Sequence, residues 1–254
     1  MAMLRTFTVE KMRVQIYQNK ESLAAAAADW VRDLLDQAIR AKGEAHLILA
    51  TGASQFEFVS HLKQLAIDWS KMTVFHLDEY KGMPITHPAS FRKYLKERIL
   101  DEVKPRQVHL LNGDHPDIAQ ELERYEKLLT SVEIDIACIG IGENGHIAFN
   151  DPAVADFNDP RWVKVVDLDE ACRRQQLGEG WFPTLEHVPT QAVSLTVPAI
   201  MRCQAISCVV PDQRKAKAVQ AALHGPISTA CPASILRTHP QTVLFLDPDS
   251  SSLL

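Results

Sequence analysis

The sequence predicts a single doubly wound α/β domain over residues 1–254, with a mainly parallel central sheet flanked by helices. Three observations carry that expectation. Short, largely apolar runs recur along the chain, among them His46–Ala50 (HLILA), Ile134–Ile139 (IDIACI) and Ile206–Val210, the pattern of strands buried on both faces. Between such runs lie segments whose apolar residues repeat at helical spacing. The regular alternation of the two is that of strands joined by helical crossovers, which wind a parallel sheet.

The elements follow in order. A short strand is expected around Arg13–Gln18, after which Asn19 can cap a helix whose apolar face is Leu23, Ala27, Trp30, Val31, Leu34, Leu35 and Ala38, with Gly43 ending it. HLILA is the next strand, Thr51-Gly52-Ala53-Ser54 turns the chain, and Phe56, Val59, Leu62 and Leu65 mark a second helix. Met72–Leu77 (MTVFHL) reads as strand, Phe91–Leu100 as helix, Val108–Leu111 as strand, Ile118–Leu129 as helix and Ile134–Ile139 as strand. Trp162–Val166, Val193–Val197 and Ile206–Val210 are further strands; Asp212–Leu223 is a helix, Cys231–Leu236 a short one, and Thr242–Phe245 the last strand. There is no internal repeat and no low-complexity linker.

Composition narrows the function. The chain has 254 residues, 46% of them hydrophobic, enough to build a core without disulfide or metal staples. Its 27 basic and 32 acidic side chains give a net charge of −5, unlike the basic face of a nucleic-acid or anionic-membrane binder. No apolar run approaches the roughly 20 residues of a membrane-spanning helix, and the start shows no signal-peptide pattern. The five cysteines, Cys138, Cys172, Cys203, Cys208 and Cys231, form no C-x-x-C pair, so zinc and disulfide frameworks are not expected and a reducing cytoplasm is.

In a doubly wound sheet, ligands sit outside the carboxyl ends of the strands, and three segments there carry chemistry. Thr51-Gly52-Ala53-Ser54 can present backbone N–H groups to an anion; it also reads as a plain tight turn with Ser54 as helix cap. His76-Leu77-Asp78-Glu79-Tyr80 holds two adjacent acids, one of which can act as a general base in a cleft; it also reads as an acidic, solvated turn. Gly140-Ile141-Gly142-Glu143-Asn144-Gly145-His146 contains G-x-G-x-x-G after a strand, but Pro152 interrupts the helix that a dinucleotide site requires. What remains is a glycine-rich loop presenting His146, with Asp151 five residues on, a fitting proton-transfer group. No P-loop, no G-x-S-x-G elbow and no H-E-x-x-H pattern occurs, so nucleotide, serine-hydrolase and metal-site chemistry have no support, and no metal is assigned. Arg214-Lys215-Ala216-Lys217 places cations where a helix begins, against its dipole, which favours either a bound anion or simple exposure there.

Together these segments resemble the glucosamine-6-phosphate deaminase (isomerase) family, from HLILATGAS to HPQTVLFLD. Asp78-Glu79-Tyr80 with Gly82, Pro84, His87-Pro88 and Ser90-Phe91 is similar to that family's DEY-x-G-x-P-x-x-HP-x-S-[YF] signature. Leu110-Leu111-Asn112-Gly113, Pro116-Asp117-Ile118 and Tyr125-Glu126 are similar to its next segment. Gly145-His146-Ile147-Ala148-Phe149-Asn150-Asp151-Pro152 resembles its GHIAFNEP, and Gln213-Arg214-Lys215-Ala216 before Gln220-Ala221-Ala222 its QKA…QAA helix.

The resemblance implies a Rossmann-like fold of the sugar-phosphate isomerase type and a cofactor-free, isomerising deamination: glucosamine 6-phosphate and water give fructose 6-phosphate and ammonia. It implies His146 for ring opening, Asp151 in the place of the family's assisting glutamate, and Asp78 as the base that moves a proton from C2 to C1. Lys215 and Thr51-Gly52-Ala53-Ser54 would bind the phosphate. The partner expected is a small amino sugar phosphate, neither nucleic acid nor membrane, and a homo-oligomer is admitted. Two departures stand out. Asn144 occupies a position where a well-studied branch of the family has aspartate; some relatives, galactosamine-6-phosphate isomerases among them, look similar to this chain in carrying Asn there, so the galactosamine epimer is an alternative substrate. Gly180 stands before Trp181-Phe182 where that branch has a phosphate-binding arginine, and Arg173 and Arg174 are the candidates to replace it. Two further functions compete with the deaminase. One is a 6-phosphogluconolactonase, which needs no C2 base, and the second is a sugar-phosphate sensor that binds without turnover.

Overall fold

A computed structural model describes residues 2–254. Strands β1 (Met3–Val9) and β2 (Met12–Tyr17) form an antiparallel hairpin. Helix α1 (Lys20–Lys42) follows: the Asn19 side chain accepts a hydrogen bond from the Ser22 N–H at its start, and Gly43, at φ +83°, ends it. The chain continues through β3 (Ala45–Leu49), α2 (Phe56–Leu62), β4 (Met72–His76) and β5 (Asp78–Tyr80). Helix α3 (Phe91–Leu95) runs through a π-helical turn at Lys96–Leu100 into α4 (Asp101–Val103). Then come β6 (Gln107–His109), α5 (Ile118–Thr130), β7 (Ile136–Ile139), β8 (Val163–Asp167), α6 (Glu170–Gly178), β9 (Gln191–Leu195), α7 (Val197–Met201), β10 (Ala205–Val210), α8 (Ala216–His224) and β11 (Thr242–Leu246).

Eight strands form the main sheet in the order β1-β2-β11-β10-β7-β3-β4-β6. Every pairing in it except the β1–β2 hairpin is parallel, which is the predicted doubly wound α/β fold. Alternation along each strand explains the continuous apolar runs. Ile48, Phe75, Ala137, Ile139, Cys208 and Leu244 pack on one face with residues of α5, α7 and α8. Leu47, Leu49, Val74, Ile136, Cys138 and Phe245 pack on the opposite face with α1 and α2. All five cysteines are free and buried.

The structure differs from the sequence expectation in several places. Strand β1 has no counterpart in it, because its residues are mostly exposed and lack an apolar face. The expected Trp162–Val166 and Val193–Val197 strands lie outside the main sheet: β8 and β9 join β5 in a separate antiparallel sheet of order β5-β9-β8. The chain leaves the main sheet after His76, so Asp78–Tyr80 are paired in this second sheet instead of forming a solvated turn. Helix α6 is also additional; it lacks an apolar stripe and buries only Cys172 and Gln176.

The winding reverses between β3 and β7. From β3 the chain moves outward to β4 and β6, then returns to β7 on the far side of β3 and proceeds to β10 and β11. Such a reversal leaves a crevice at the carboxyl ends of the two adjacent strands.

Candidate active site

A cleft opens at that crevice, the place where a doubly wound sheet binds its ligand. Each wall comes from a different strand end: Thr51, Gly52 and Ser54 after β3, Asp78 after β4, Gly142 and His146 after β7, and Lys215 after β10. Ala53 belongs to the same turn as its neighbours, with its N–H directed into the site. Asn144 and Asp151 stand behind the imidazole, outside the lining. Residues 51 to 215 are thus gathered by topology alone.

Asp78 is 6% exposed and Glu79 is fully buried, which overturns the solvated-turn alternative. Their side chains leave opposite faces of β5. The Glu79 carboxylate accepts hydrogen bonds from Ser90 Oγ at 2.8 Å and from the N–H groups of Tyr80, Phe91 and Arg92, and pairs with the Arg92 guanidinium at 3.3 Å. It is fully committed to holding β5 against α3. Asp78 has no such partners among the described residues, and burial followed by the neighbouring Glu79 charge pushes its carboxyl up to about 8. Burial also pushes His76 down to about 3, so that imidazole brings no positive charge near Asp78 at neutral pH.

His146 Nδ1 lies 2.8 Å from Asp151 Oδ1, an ion-pair distance. Burial works to raise Asp151, but His146, the Asn144 amide and the Asp169 N–H outweigh it and hold the carboxyl below its ordinary value. Asn144 makes no hydrogen bond to the imidazole ring. Its Nδ2 donates to Asp151 Oδ1 at 3.0 Å and to Asp169 Oδ2 at 3.1 Å, while its Oδ1 accepts from the His146 backbone N–H. The charge facing the imidazole is therefore supplied by Asp151, with Asn144 bridging two carboxylates. Gly142 is required by close approach: a Cβ there would sit 2.2 Å from the imidazole.

The β3 turn is built around Gly52 at φ +100°, and Ser54 does not cap the following helix; its Oγ accepts from Gln55 Nε2 at 3.0 Å. Lys215, 6% exposed, ends a 3-10 turn before α8 and points into the cleft, so the exposed-cation alternative does not hold for it. Burial lowers its pKa, with Glu179 and Glu143 opposing. Arg214 instead pairs with Asp212 at the rim.

Neither Arg173 nor Arg174 replaces the missing arginine. Arg173 donates to the carbonyls of Leu185 and Val188, and Arg174 pairs with Glu170 on the exposed face of α6. What this segment contributes to the lining is Gln175, Gln176 and Glu179, residues with no apolar periodicity or motif to signal them in the sequence. One metal-type donor set exists among the described residues: His146, Asp151 and Cys172 place one donor atom each within 4.8 Å of one another. Two of the three are already engaged with each other, and burial raises the Cys172 thiol well above its ordinary value with Asp151 adding to it, the opposite of what a thiolate ligand needs.

The chain matches the family model described as glucosamine-6-phosphate isomerases/6-phosphogluconolactonase over residues 18–245. It belongs to that family. The glucosamine-6-phosphate deaminases of Bacillus thuringiensis (strain Al Hakam) and Bacillus cereus (strain AH820) are each 33% identical to it over 95% of this chain and 89% of theirs. Among solved structures, a monomeric glucosamine-6-phosphate deaminase superimposes with a TM-score of 0.88 at 31% identity, covering 95% of this chain and 99% of its own. A 6-phosphogluconolactonase from Thermotoga maritima shares the fold, with a TM-score of 0.76 at 19% identity over 93% of this chain and 100% of its own. The chain is thus an enzyme of the glucosamine-6-phosphate isomerase/6-phosphogluconolactonase family. Among its described residues, no helix is long and apolar enough to cross a membrane.

Proposed function

We propose that this enzyme is an isomerising deaminase that converts glucosamine 6-phosphate and water to fructose 6-phosphate and ammonia. The observation that carries the reading is the pairing of proton-transfer groups across one cleft. Asp78 is held on one wall with no internal partner among the described residues, and His146, backed by Asp151, is on another. A lactone hydrolysis requires no base at C2.

In this reading His146 moves a proton between the anomeric hydroxyl and the ring oxygen, opening the sugar, and Asp151 balances the imidazolium. Asp78, ionised, then removes the C2 proton of the open-chain amino aldehyde. The C2–H electron pair forms a C1=C2 bond while the C1=O π pair moves onto O1, which takes a proton from solvent, and the same carboxyl returns its proton to C1. The nitrogen lone pair leaves a C2=N iminium; water adds at C2 and ammonia departs, leaving the ketone. The sequence is redox-neutral and uses no cofactor. Lys215 and the Thr51-Gly52-Ala53-Ser54 turn take the phosphate, all within one domain over residues 1–254. Five free thiols fit a reducing cytoplasm.

The purified protein is to be incubated with glucosamine 6-phosphate, with ammonia and fructose 6-phosphate measured together, and with galactosamine 6-phosphate and 6-phosphogluconolactone in parallel. Equimolar ammonia and ketose from the glucosamine substrate is the expected result. Release from the galactosamine epimer alone would move the assignment to that substrate, and lactone hydrolysis without ammonia release would replace it.

A further inference from the structure

The turn after β3 and Lys215 line the same cleft, and an acid, Glu179, touches the turn and acts on Lys215 through its charge. Glu179 Oε2 accepts from the Ala53 N–H at 3.4 Å and lies 3.8 Å from where a Cβ on Gly52 would stand. Its Oε1 accepts from Gln175 Nε2, also at 3.4 Å. Both contacts are long and weak. Lys215 lines this cleft, is 6% exposed and has no ion-pair partner among the described residues; against the burial that lowers its pKa, Glu179 leads the charges that hold it protonated. Position 180 is glycine and the residue before it is anionic, so this segment brings a negative and no positive charge to the cleft.

We propose that Glu179 is a specificity-determining residue: its carboxylate occupies the phosphate cradle formed by the 51–54 turn and Lys215, and a ligand's phosphoryl group binds only by displacing it. This rests on the reading of that cradle as the phosphate subsite. A phosphate dianion and a carboxylate cannot share one N–H donor and one ammonium without strong repulsion. The displacement has a ready route. Glu179 sits between Gly178 and Gly180, at neither of which would a Cβ meet any atom within 4 Å, so no packing at these two positions locks this end of α6 onto the turn. The enzyme accordingly holds an internal competitor for its own substrate. Phosphorylated sugars displace it, and weakly charged anions do not.

The test is calorimetric titration of inorganic phosphate into the wild-type protein, Glu179→Gln, Glu179→Ala and Lys215→Ala, with steady-state kinetics on glucosamine 6-phosphate for each. Glu179→Gln keeps the shape and removes the charge. Both Glu179 variants are expected to bind inorganic phosphate about tenfold or more tighter than wild type and to lower KM, and Lys215→Ala to bind it more weakly. Unchanged or weaker phosphate affinity in both Glu179 variants, in a wild type that does bind phosphate, overturns the proposal and leaves the subsite reading intact. Absence of phosphate binding in every protein overturns both. Tighter phosphate binding in the Glu179 variants with no ammonia released by any protein sustains this proposal and removes the deaminase reading.

Discussion

His146 Nδ1 and Asp151 Oδ1 are 2.8 Å apart, and the carboxylate of that pair is fully buried. Asp151 is the charge placed against the imidazole, since Asn144 turns its amide to the two aspartates. Asp151→Asn should therefore lower kcat on glucosamine 6-phosphate by about 10²–10⁴, the range of a general acid–base contribution, while phosphate affinity stays near that of wild type. Equal losses in kcat and in phosphate binding would show that Asp151 supports the fold of the cleft and not the proton transfer.

Asp78 carries a pH signature. A base must be ionised, and its carboxyl is pushed up to about 8, so kcat/KM should fall below about pH 8 with a limb that Asp78→Asn abolishes along with C2 proton exchange. A limb near the ordinary carboxylate range would remove Asp78 from the role.

The same shift fixes a stability trend. The unfolded chain releases this proton at about pH 3.9, while the folded chain keeps it to about pH 8. Between these values the native state binds more protons, so stability falls as pH rises. Asp78→Asn removes that loss. Its stability advantage over wild type, read from urea unfolding, should grow from about pH 4 to about pH 8 and then level off.

Asn144→Asp tests the bridge. The change removes two donated hydrogen bonds and sets a third carboxyl against Asp151 and Asp169. It should cost roughly 1–3 kcal/mol, more at pH 8 than at pH 5 because repulsion requires the new group to be ionised. A thermal midpoint unchanged at both pH values would refute the bridging account.

Gly142→Ala puts a methyl 2.2 Å from the imidazole. Overpacking of this kind costs about 1–3 kcal/mol, and the ring must rotate away from Asp151. Turnover should fall at least as far as in Asp151→Asn, with Lys215-dependent phosphate binding retained.

The parts of the fold that can be read from the sequence are those where burial imposes a pattern. Strands β3, β4, β7, β10 and β11 are buried along their whole length, so they stand out as apolar runs, and the strand-end rule then directs attention to Asp78, His146 and Lys215. Strand β1 and helix α6 contribute few buried residues and leave no such trace. The second sheet is hidden for a different reason. Its strands β8 and β9 read like any others, and only the bend after His76 decides which sheet they join. Glu179 is silent in the sequence because a single acid in a polar segment has no spacing to distinguish it; its meaning arises from the distance to Ala53.

The parallel pairing of β2 with β11, in which Arg13 faces Val243, bears on how the chain is made. About 230 residues separate the two strands, which at the usual rates of synthesis is on the order of ten seconds or more. Throughout that interval the strand carrying Met12, Val14 and Ile16, buried in the finished protein, has only β1 paired with it in the sheet, and a two-stranded hairpin is marginal in water. The nascent chain therefore emerges with an open, apolar strand edge that its own last strand will close, and it is at this edge that a chaperone or a neighbouring nascent chain would first take hold.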